Sequence, residues 1–546
     1  MDQSDIILSV PLTRDAGTCL CSLIIQFSSR GALGAIVHDM KLLAVALFTL
    51  IVVIRTNECS QNWFPQNLVT TIRKETSLIK DYVKEKGRNI KQFYIDNVQK
   101  KITSYLGLQR QESEDADKSS RFKRKFKDYI EDAQAKDYMV FDSIAPEVHK
   151  YPCSRDDPTI EMTTPQLIAF YGYHSESHTI VTEDGYILTM HRIPHTRNTT
   201  DLRPYRKTVL LHHGLLGSSA DWVVTGPNKA LAFILSDAGY DVWLANARGN
   251  TYSKAHVSKK TDTYSFWNFT FHEISQYDLP AIIDYIMENK GWDVKINYIG
   301  HSMGTTVLFA LLSTKTQYNK VLRAGYALAP VAYMSHVRSP IRLLSKFSDN
   351  IAYLMKLLGA NEFLPHNAVL RWLSKHACEI NHYEEAICEN SMFVLCGHDD
   401  KQFNKTLLPL ILGHVPAGAS TKTLIHYAQE IRNDGRFQQF DYGPEGNFMM
   451  YGAPLPPEYP LFKITLPIAL LSADNDWLAG TEDVDKLYVR LKNPLERYVV
   501  PYKDFNHIDF LWAIDAPKLV YYKLLQLLDD GVVTSNIDLI TNNEIN

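Results

Sequence analysis

The chain has 546 residues, of which 45% are hydrophobic and 22% charged, and its formal net charge is −4 at pH 7. That composition fits one large globular catalytic domain with extras, or two to four average domains, and it excludes the basic footprint of a nucleic-acid binder. The 19 histidines are expected to charge below about pH 6 and to make a slightly acidic molecule strongly cationic, which is compatible with an acidic compartment.

Met40-Lys41, the apolar run from Leu42 to Ile54, and Asn57-Glu58-Cys59-Ser60 have the form of a secretory signal peptide. The run is too short to span a bilayer comfortably. Residues 1–39 precede it, whereas a secretory signal normally begins a chain. A translation start at Met40 accounts for this better than a signal anchor with a cytoplasmic arm. From Gln61 to about Leu108, apolar residues such as Ile79, Val83, Ile90, Phe93 and Ile102 recur at near-helical spacing in a lysine-rich background. They predict amphipathic helix, either a solvated spacer or a membrane or partner contact. A linker-like stretch, Arg110 to Asp117, leads to Arg121-Phe122-Lys123-Arg124, which has the spacing of a proprotein-convertase site and reads equally as solvated surface. Cleavage there would make residues 61–124 a propeptide.

The texture of a packed domain begins near Cys153. Met162-Thr163-Thr164-Pro165-Gln166-Leu167-Ile168 predicts a capped helix start. Thr179–Thr182 and Tyr186–Met190 flank Glu183-Asp184-Gly185 and predict a hairpin. Apolar strands follow at Thr208–Leu211, Tyr240–Ala245 and Ile296–Ile299, separated by helical stretches. Strands alternating with helices predict a mostly parallel sheet covered on both faces. A further strand is expected at Gly325–Pro330, and the next, Ile468–Leu471, comes more than a hundred residues later. A gap of that size predicts an inserted helical subdomain, with Ile351 to Leu358 as one helix, sitting over the site as a cap.

The strand before Gly300-His301-Ser302-Met303-Gly304 and the helix-forming segment after it give this motif the form of a nucleophile elbow. A serine hydroxyl is a weak nucleophile at its own pKa, so Ser302 requires a base, an acid that orients the base, and donors for the oxyanion. His212-His213-Gly214-Leu215-Leu216-Gly217 directly follows a strand, and the backbone N–H groups of Leu215 and Met303 are the expected oxyanion donors. Ser472-Ala473-Asp474-Asn475-Asp476-Trp477 follows the strand at Ile468 and offers two acids, Asp474 and Asp476, which spacing alone does not separate. His507, on a late loop after a strand at Arg497–Val500, is the expected base. The order Ser, Asp, His is that of α/β-hydrolases.

These motifs together resemble the acid lipase family, the group of gastric and lysosomal acid lipases, over roughly residues 155–530. The resemblance rests on Thr182–Leu188, His213–Leu216, Gly239–Leu244, Asn246–Thr251, Tyr277–Ala281, Gly300–Ser302 and Asn506–Phe510. It implies an α/β-hydrolase fold with a mobile lid, a Ser302–Asp476–His507 triad, and hydrolysis of triacylglycerols or cholesteryl esters at a lipid–water interface. It implies no metal or other cofactor. Asp476 is chosen over Asp474 because Asn475-Asp476-Trp477-Leu478-Ala479 aligns with the family's Asn-Asp-x-Leu-Ala. A Cys378–Cys388 disulfide and a free Cys396 are implied too. In a secreted chain, Cys378 and Cys388, two of the three cysteines clustered at 378–396, are also the preferred disulfide candidates by their nearness in sequence, and the lack of any Cys-x-x-Cys argues against zinc. Cys396, in an apolar run, is expected to be buried. Met303 stands where the family commonly has glutamine, and Gly480-Thr481 where it has Asp-Pro. Sequons at Asn198, Asn268 and Asn404 fit secretion, with Asn268 expected to be too buried for a glycan.

The resulting organisation is an N-terminal extension at 1–39, a signal peptide at 40–60, and a charged helical pro-segment at 61–150. A hydrolase core follows at 151–332 and 460–535, interrupted by a cap at 333–459. The expected product is a secreted or lysosomal serine lipase with no nucleic-acid partner and no stable transmembrane segment. A non-catalytic lipid-binding homologue, a short-chain esterase and an acyltransferase are the alternatives.

Overall fold

Four apolar runs supply the centre of the sheet: β3 (Thr208–His212), β4 (Asp241–Leu244), β6 (Ile296–His301) and β10 (Ile468–Ser472) are buried at every position. Such unbroken burial belongs to parallel strands covered on both faces. The computed structural model describes residues 157–197, 206–345, 361–364, 393, 395–433 and 435–530. The expectations for residues 1–150, Cys153, Asn198, Ile351–Leu358, Cys378 and Cys388 lie outside them.

The hairpin strands β1 (Glu176–Val181) and β2 (Tyr186–Ile193) are antiparallel, and a short β5 (Ala255–His256) pairs with β2. β7 (Leu322–Leu328) and β11 (Pro494–Val499) complete a sheet of order β1-β2-β4-β3-β6-β7-β10-β11. β4, β3, β6, β7, β10 and β11 run parallel. β7 ends two residues before the expected boundary, because Ala329 takes a left-handed φ of 48° that a strand cannot continue. The first helix, Thr164–Phe170, starts where the sequence implies, with Gln166 Oε1 accepting the Thr163 N–H at 2.8 Å.

β7 and β10 are sheet neighbours although residues 329–467 separate them in the chain. Within that stretch, β8 (Glu362–Phe363) pairs with β9 (Ala419–Ser420), and β9 leads into helix α1 (Thr421–Arg432). Helix α2 (Gly443–Tyr451) follows. Lys254 joins β8 to the core through Glu362 at 2.6 Å.

Three motifs far apart in sequence meet at one buried cation. Arg248 is fully buried, with Nη2 2.6 Å from Asp278 Oδ1 and Nη1 2.6 Å from Asp184 Oδ2, and its guanidinium lies over Tyr186 at 3.9 Å. Asp278 also accepts the Arg248 backbone N–H at 2.9 Å. A buried pair adds little over an apolar substitute, but losing one partner strands a charge. Asp278→Ala is expected to cost about 3–5 kcal/mol in urea unfolding. Asp184→Ala should cost less, because the Asp184 side chain is 25% exposed and water replaces it. Equal losses would contradict this assignment.

Candidate active site

β6 must turn into the helix Met303–Thr314 within one residue, and Ser302 absorbs the turn with φ 52° and ψ −115°. A non-glycine residue held at positive φ is strained, and the surrounding packing must impose it. That packing excludes side chains on both sides. A Cβ at Gly300 would lie 2.7 Å from the Gly304 carbonyl carbon, and one at Gly304 would overlap the His212 carbonyl oxygen. The Ser302 N–H reaches across to the Leu328 carbonyl at 3.1 Å, so the elbow is pinned to β7. The helix beyond it is buried from Met303 through Ser313.

The hydroxyl meets its partners in a linear relay. His507 Nε2 lies 2.8 Å from Ser302 Oγ, and His507 Nδ1 lies 2.8 Å from Asp476 Oδ2. Asp476 is fully buried, and its Oδ1 accepts the N–H groups of Leu478 and Ala479, both at 2.8 Å. With Oδ1 occupied, Oδ2 points at the imidazole, which fixes the tautomer with the proton on Nδ1. Asp474 is exposed and accepts from Thr481 Oγ1 at 3.4 Å, and among the described residues the carboxylate bonded to His507 is that of Asp476. Gly480-Thr481 does not loosen this loop, since Thr481 opens the helix Thr481–Tyr488 and Asp483 in it accepts the His336 N–H at 2.7 Å.

Several residues that set these positions carry no signal in the sequence. The Cys396 carbonyl accepts from both Trp477 N at 3.2 Å and His507 N at 3.4 Å, clamping the acid loop to the base loop. His301 Nε2 donates to the His507 carbonyl at 2.9 Å and holds the base from behind. Asn506 is the exception. Its side chain accepts from the N–H groups of Ile508 and Asp509, at 2.9 and 3.2 Å, an Asx turn of the kind an Asn just ahead of a helix suggests.

The loop after β3 runs against the elbow. A Cβ at Gly214 would sit 3.1 Å from His301 Nδ1 and 3.2 Å from Ser302 Cβ, so a side chain there would crowd the elbow. Buried His213 shapes the loop: Nδ1 donates to the Gly214 carbonyl at 2.7 Å, and Nε2 accepts from Ala247 N at 3.0 Å. Neither the Leu215 nor the Met303 N–H makes a hydrogen bond among the described residues. Both residues line a narrow cleft, together with Leu216, Phe269, Ile274 and Ala419. Its polar members are His213, bonded to the Gly214 carbonyl and Ala247 N, Arg248, held by Asp278 and Asp184, and Ser420 and Thr423, which donate to the carbonyls of Trp267 and Phe269.

Two expectations need correction. Asn268 is exposed rather than buried, because only its neighbours Phe266, Trp267 and Phe269 turn inward; its Oδ1 accepts from Lys422 Nζ at 2.9 Å. Cys396 is a free thiol but half-buried. Its surroundings and the nearby Asp476 and Asp509 carboxylates push the thiol well above its usual range. Asn404 is half-buried, and its side chain caps the turn Lys405–Leu407 through Thr406 N at 3.2 Å.

Nor do all the histidines charge in mild acid. Burial pushes His191, His213, His301 and His426 down to about 3 and His212 to about 4. The carboxyls around the site move the other way. Burial pushes Asp221, below the loop after β3, up to about 7. Asp399 and Asp509, both 2% exposed, are raised first by burial; the Asp504 charge adds to Asp399, the bond from Asp509 opposes its rise, and Asp399 and then Asp476 push Asp509 up further. Asp509 is bonded to Asn506 N at 2.7 Å, one residue from the base. A carboxyl whose folded pKa lies above its ordinary value of 3.8 contributes stability that is present below that value and lost as pH rises through the folded one. Asp399→Asn removes the like charge while keeping the Oδ1 that accepts from Lys401 and Gln402. It is expected to raise Tm by about 2–4 °C at pH 7.5, and by less at pH 5. An equal shift at both pH values would contradict the assigned repulsion of Asp509 by Asp399.

Comparison with known proteins agrees with this geometry. A model of the partial alpha/beta-hydrolase lipase region matches residues 164–226, and one of the alpha/beta hydrolase fold matches residues 207–349. Bovine gastric triacylglycerol lipase is 40% identical over 374 residues, covering 68% of this chain and 92% of that protein. Human lysosomal acid lipase/cholesteryl ester hydrolase is 36% identical over 373 residues, with the same coverage of 68% and 92%. Lipase 3 of Drosophila melanogaster is 40% identical over 356 residues, covering 65% and 90%. With its buried parallel sheet and its elbow between β6 and the following helix, the chain belongs to the gastric and lysosomal acid lipase family of α/β-hydrolases.

Proposed function

We propose that this chain hydrolyses carboxylic esters of lipids, triacylglycerols or cholesteryl esters, through an acyl-enzyme. The observation that carries the reading is the Ser302–His507–Asp476 relay at a strained elbow beside an apolar cleft. His507 Nε2 takes the Ser302 proton as Oγ attacks the ester carbonyl, and Asp476 stabilises the imidazolium that forms. The carbonyl oxygen, now an oxyanion, is held by the N–H groups of Leu215 and Met303. Each such donor is typically worth about 2.7–4 kcal/mol of barrier. The tetrahedral intermediate collapses, the C–O bond to the alcohol breaks, and His507 protonates the leaving oxygen. Water then attacks the acyl carbon with His507 as base, and the acid leaves with Ser302 restored.

The substrate class follows from the cleft. Its polar side chains are satisfied internally, so it offers apolar contact to a ligand, as a hydrocarbon acyl chain requires. The names of the relatives, gastric triacylglycerol lipase and lysosomal acid lipase/cholesteryl ester hydrolase, support triacylglycerols or cholesteryl esters as the substrate class. Residues 333–459 serve as the cap in this reading. Entry to the secretory route is part of it, carried by the signal-like run after Met40 and by the exposed sequon at Asn268. Among the described residues no helix is long and apolar enough to cross a membrane.

Ser302→Ala is expected to abolish release of fatty acid from emulsified triolein. Asp476→Asn should lower kcat by about 10⁴-fold, the usual effect of losing the acid that sets the base's tautomer. Retention of the wild-type rate by either variant, measured by titration of released acid, would overturn the mechanism.

A further inference from the structure

Phe448, Met449 and Met450 are consecutive and are 63%, 83% and 60% exposed, and Leu455 just beyond them is 60% exposed. They occupy the last turn of α2 and the loop after it. From Gly446 to Pro457 the chain carries no charged residue. Runs of exposed apolar side chains are a solubility liability unless a function retains them.

This tip is rigid. Buried Asn447 ties it together: its Nδ2 donates to Asp441 Oδ1 at 2.7 Å and to the Pro454 carbonyl at 3.0 Å, and its Oδ1 accepts from Tyr442 N at 2.9 Å. Tyr451 Oη donates to the Phe440 carbonyl at 2.8 Å. The tip is also mounted on the wall of the active-site cleft. Asp441 is held by Gln429 of α1 through two bonds of 2.9 Å. The same helix contributes Thr423 to the cleft and bonds Thr306, in the helix after Ser302, through Tyr427 at 3.0 Å.

We infer that the tip Phe448-Met449-Met450, with Leu455, is the surface by which this enzyme seats itself on a lipid–water interface. The choice of a lipid surface over a protein groove follows from the helical geometry. Three consecutive residues fan out over about 200° of a helix, whereas a groove reads a stripe at i, i+3, i+4 and i+7. Apolar groups pointing in all directions suit a fluid that surrounds them. An aromatic ring and two flexible thioethers suit the disordered boundary of a lipid phase. The lack of charge means that seating relies on apolar insertion, so it does not require anionic lipid and survives high salt. The identity of the occupant rests on the lipid-ester reading above.

The test uses the full chain in the Ser302→Ala background, so that binding is measured without turnover. Flotation with phosphatidylcholine vesicles in 0.15 M and 1 M NaCl is expected to show partition that salt does not weaken. Replacing Phe448, Met449 and Met450 together by serine should lower it at least tenfold. In the otherwise wild-type chain the same triple replacement should cut hydrolysis of emulsified triolein at least tenfold, while hydrolysis of dissolved 4-nitrophenyl butyrate stays within twofold, which also reports that the variant folds. Unchanged vesicle partition in the triple variant would overturn the inference. So would unchanged partition with a change in sedimentation, which would mark the tip as a contact between copies of the chain. Absence of ester hydrolysis by the wild-type chain, with vesicle binding intact, would instead sink the functional reading and leave the lipid-surface contact standing.

Discussion

The structure depends on one backbone constraint: Ser302 must sit at positive φ where β6 becomes a helix. Two glycines make this sterically possible, and the sheet makes it unavoidable, because the His301 position pairs with Leu328 and the Ser302 N–H bonds the Leu328 carbonyl. The strain places a hydroxyl at the carboxyl edge of the sheet, with a helix N-terminus directly behind it. The Met303 N–H is left without a partner among the described residues for the same reason that any first-turn N–H is. One turn of chain therefore supplies both the hydroxyl proposed as nucleophile and the N–H proposed as oxyanion donor.

Around that turn, histidines act more through shape than through charge. His213 holds the loop that passes Ser302, and His301 supports the base. Each gives one ring nitrogen to a carbonyl and is kept neutral by burial. A charged ring in either place would be cut off from water, and at His301 the nearby Asp476 carboxylate does not offset that cost. The carboxyls nearby respond to the same dryness in the opposite sense, so burial favours neutral forms of both acids and bases. Acid therefore acts on the fold in two opposed ways: protons taken up by Asp399 and Asp509 relieve repulsion, while protons forced onto the buried imidazoles oppose packing. The balance is set by named groups rather than by the histidine count.

Most of the fold was legible in the sequence because buried parallel strands are unbroken apolar runs, and β3, β4, β6 and β10 are such runs. Ser302 and His507 could be read because order and placement constrain them. Asp474 and Asp476 could not be separated by spacing, since the difference is which carboxylate has its Oδ1 occupied by Leu478 and Ala479. The Arg248 cluster was invisible as a cluster: Asp184, Arg248 and Asp278 stood in three separate motifs, and nothing local says that they meet. The burial of Asn268 was misjudged because aromatic neighbours were taken to carry it inward, whereas it alone faces solvent between the buried pairs Phe266–Trp267 and Phe269–Thr270. Counting histidines failed because titration depends on burial, which composition does not contain.

The central claim is that Ser302 is an activated nucleophile, and covalent labelling tests it without presuming a substrate. The folded chain would be treated with a fluorophosphonate serine probe at pH 5 and pH 7.5, digested, and mapped by mass spectrometry. The account predicts a single modified peptide containing Ser302, with labelling lost in His507→Ala. Folded protein that remains unlabelled at both pH values, or that is labelled at another serine, would contradict it.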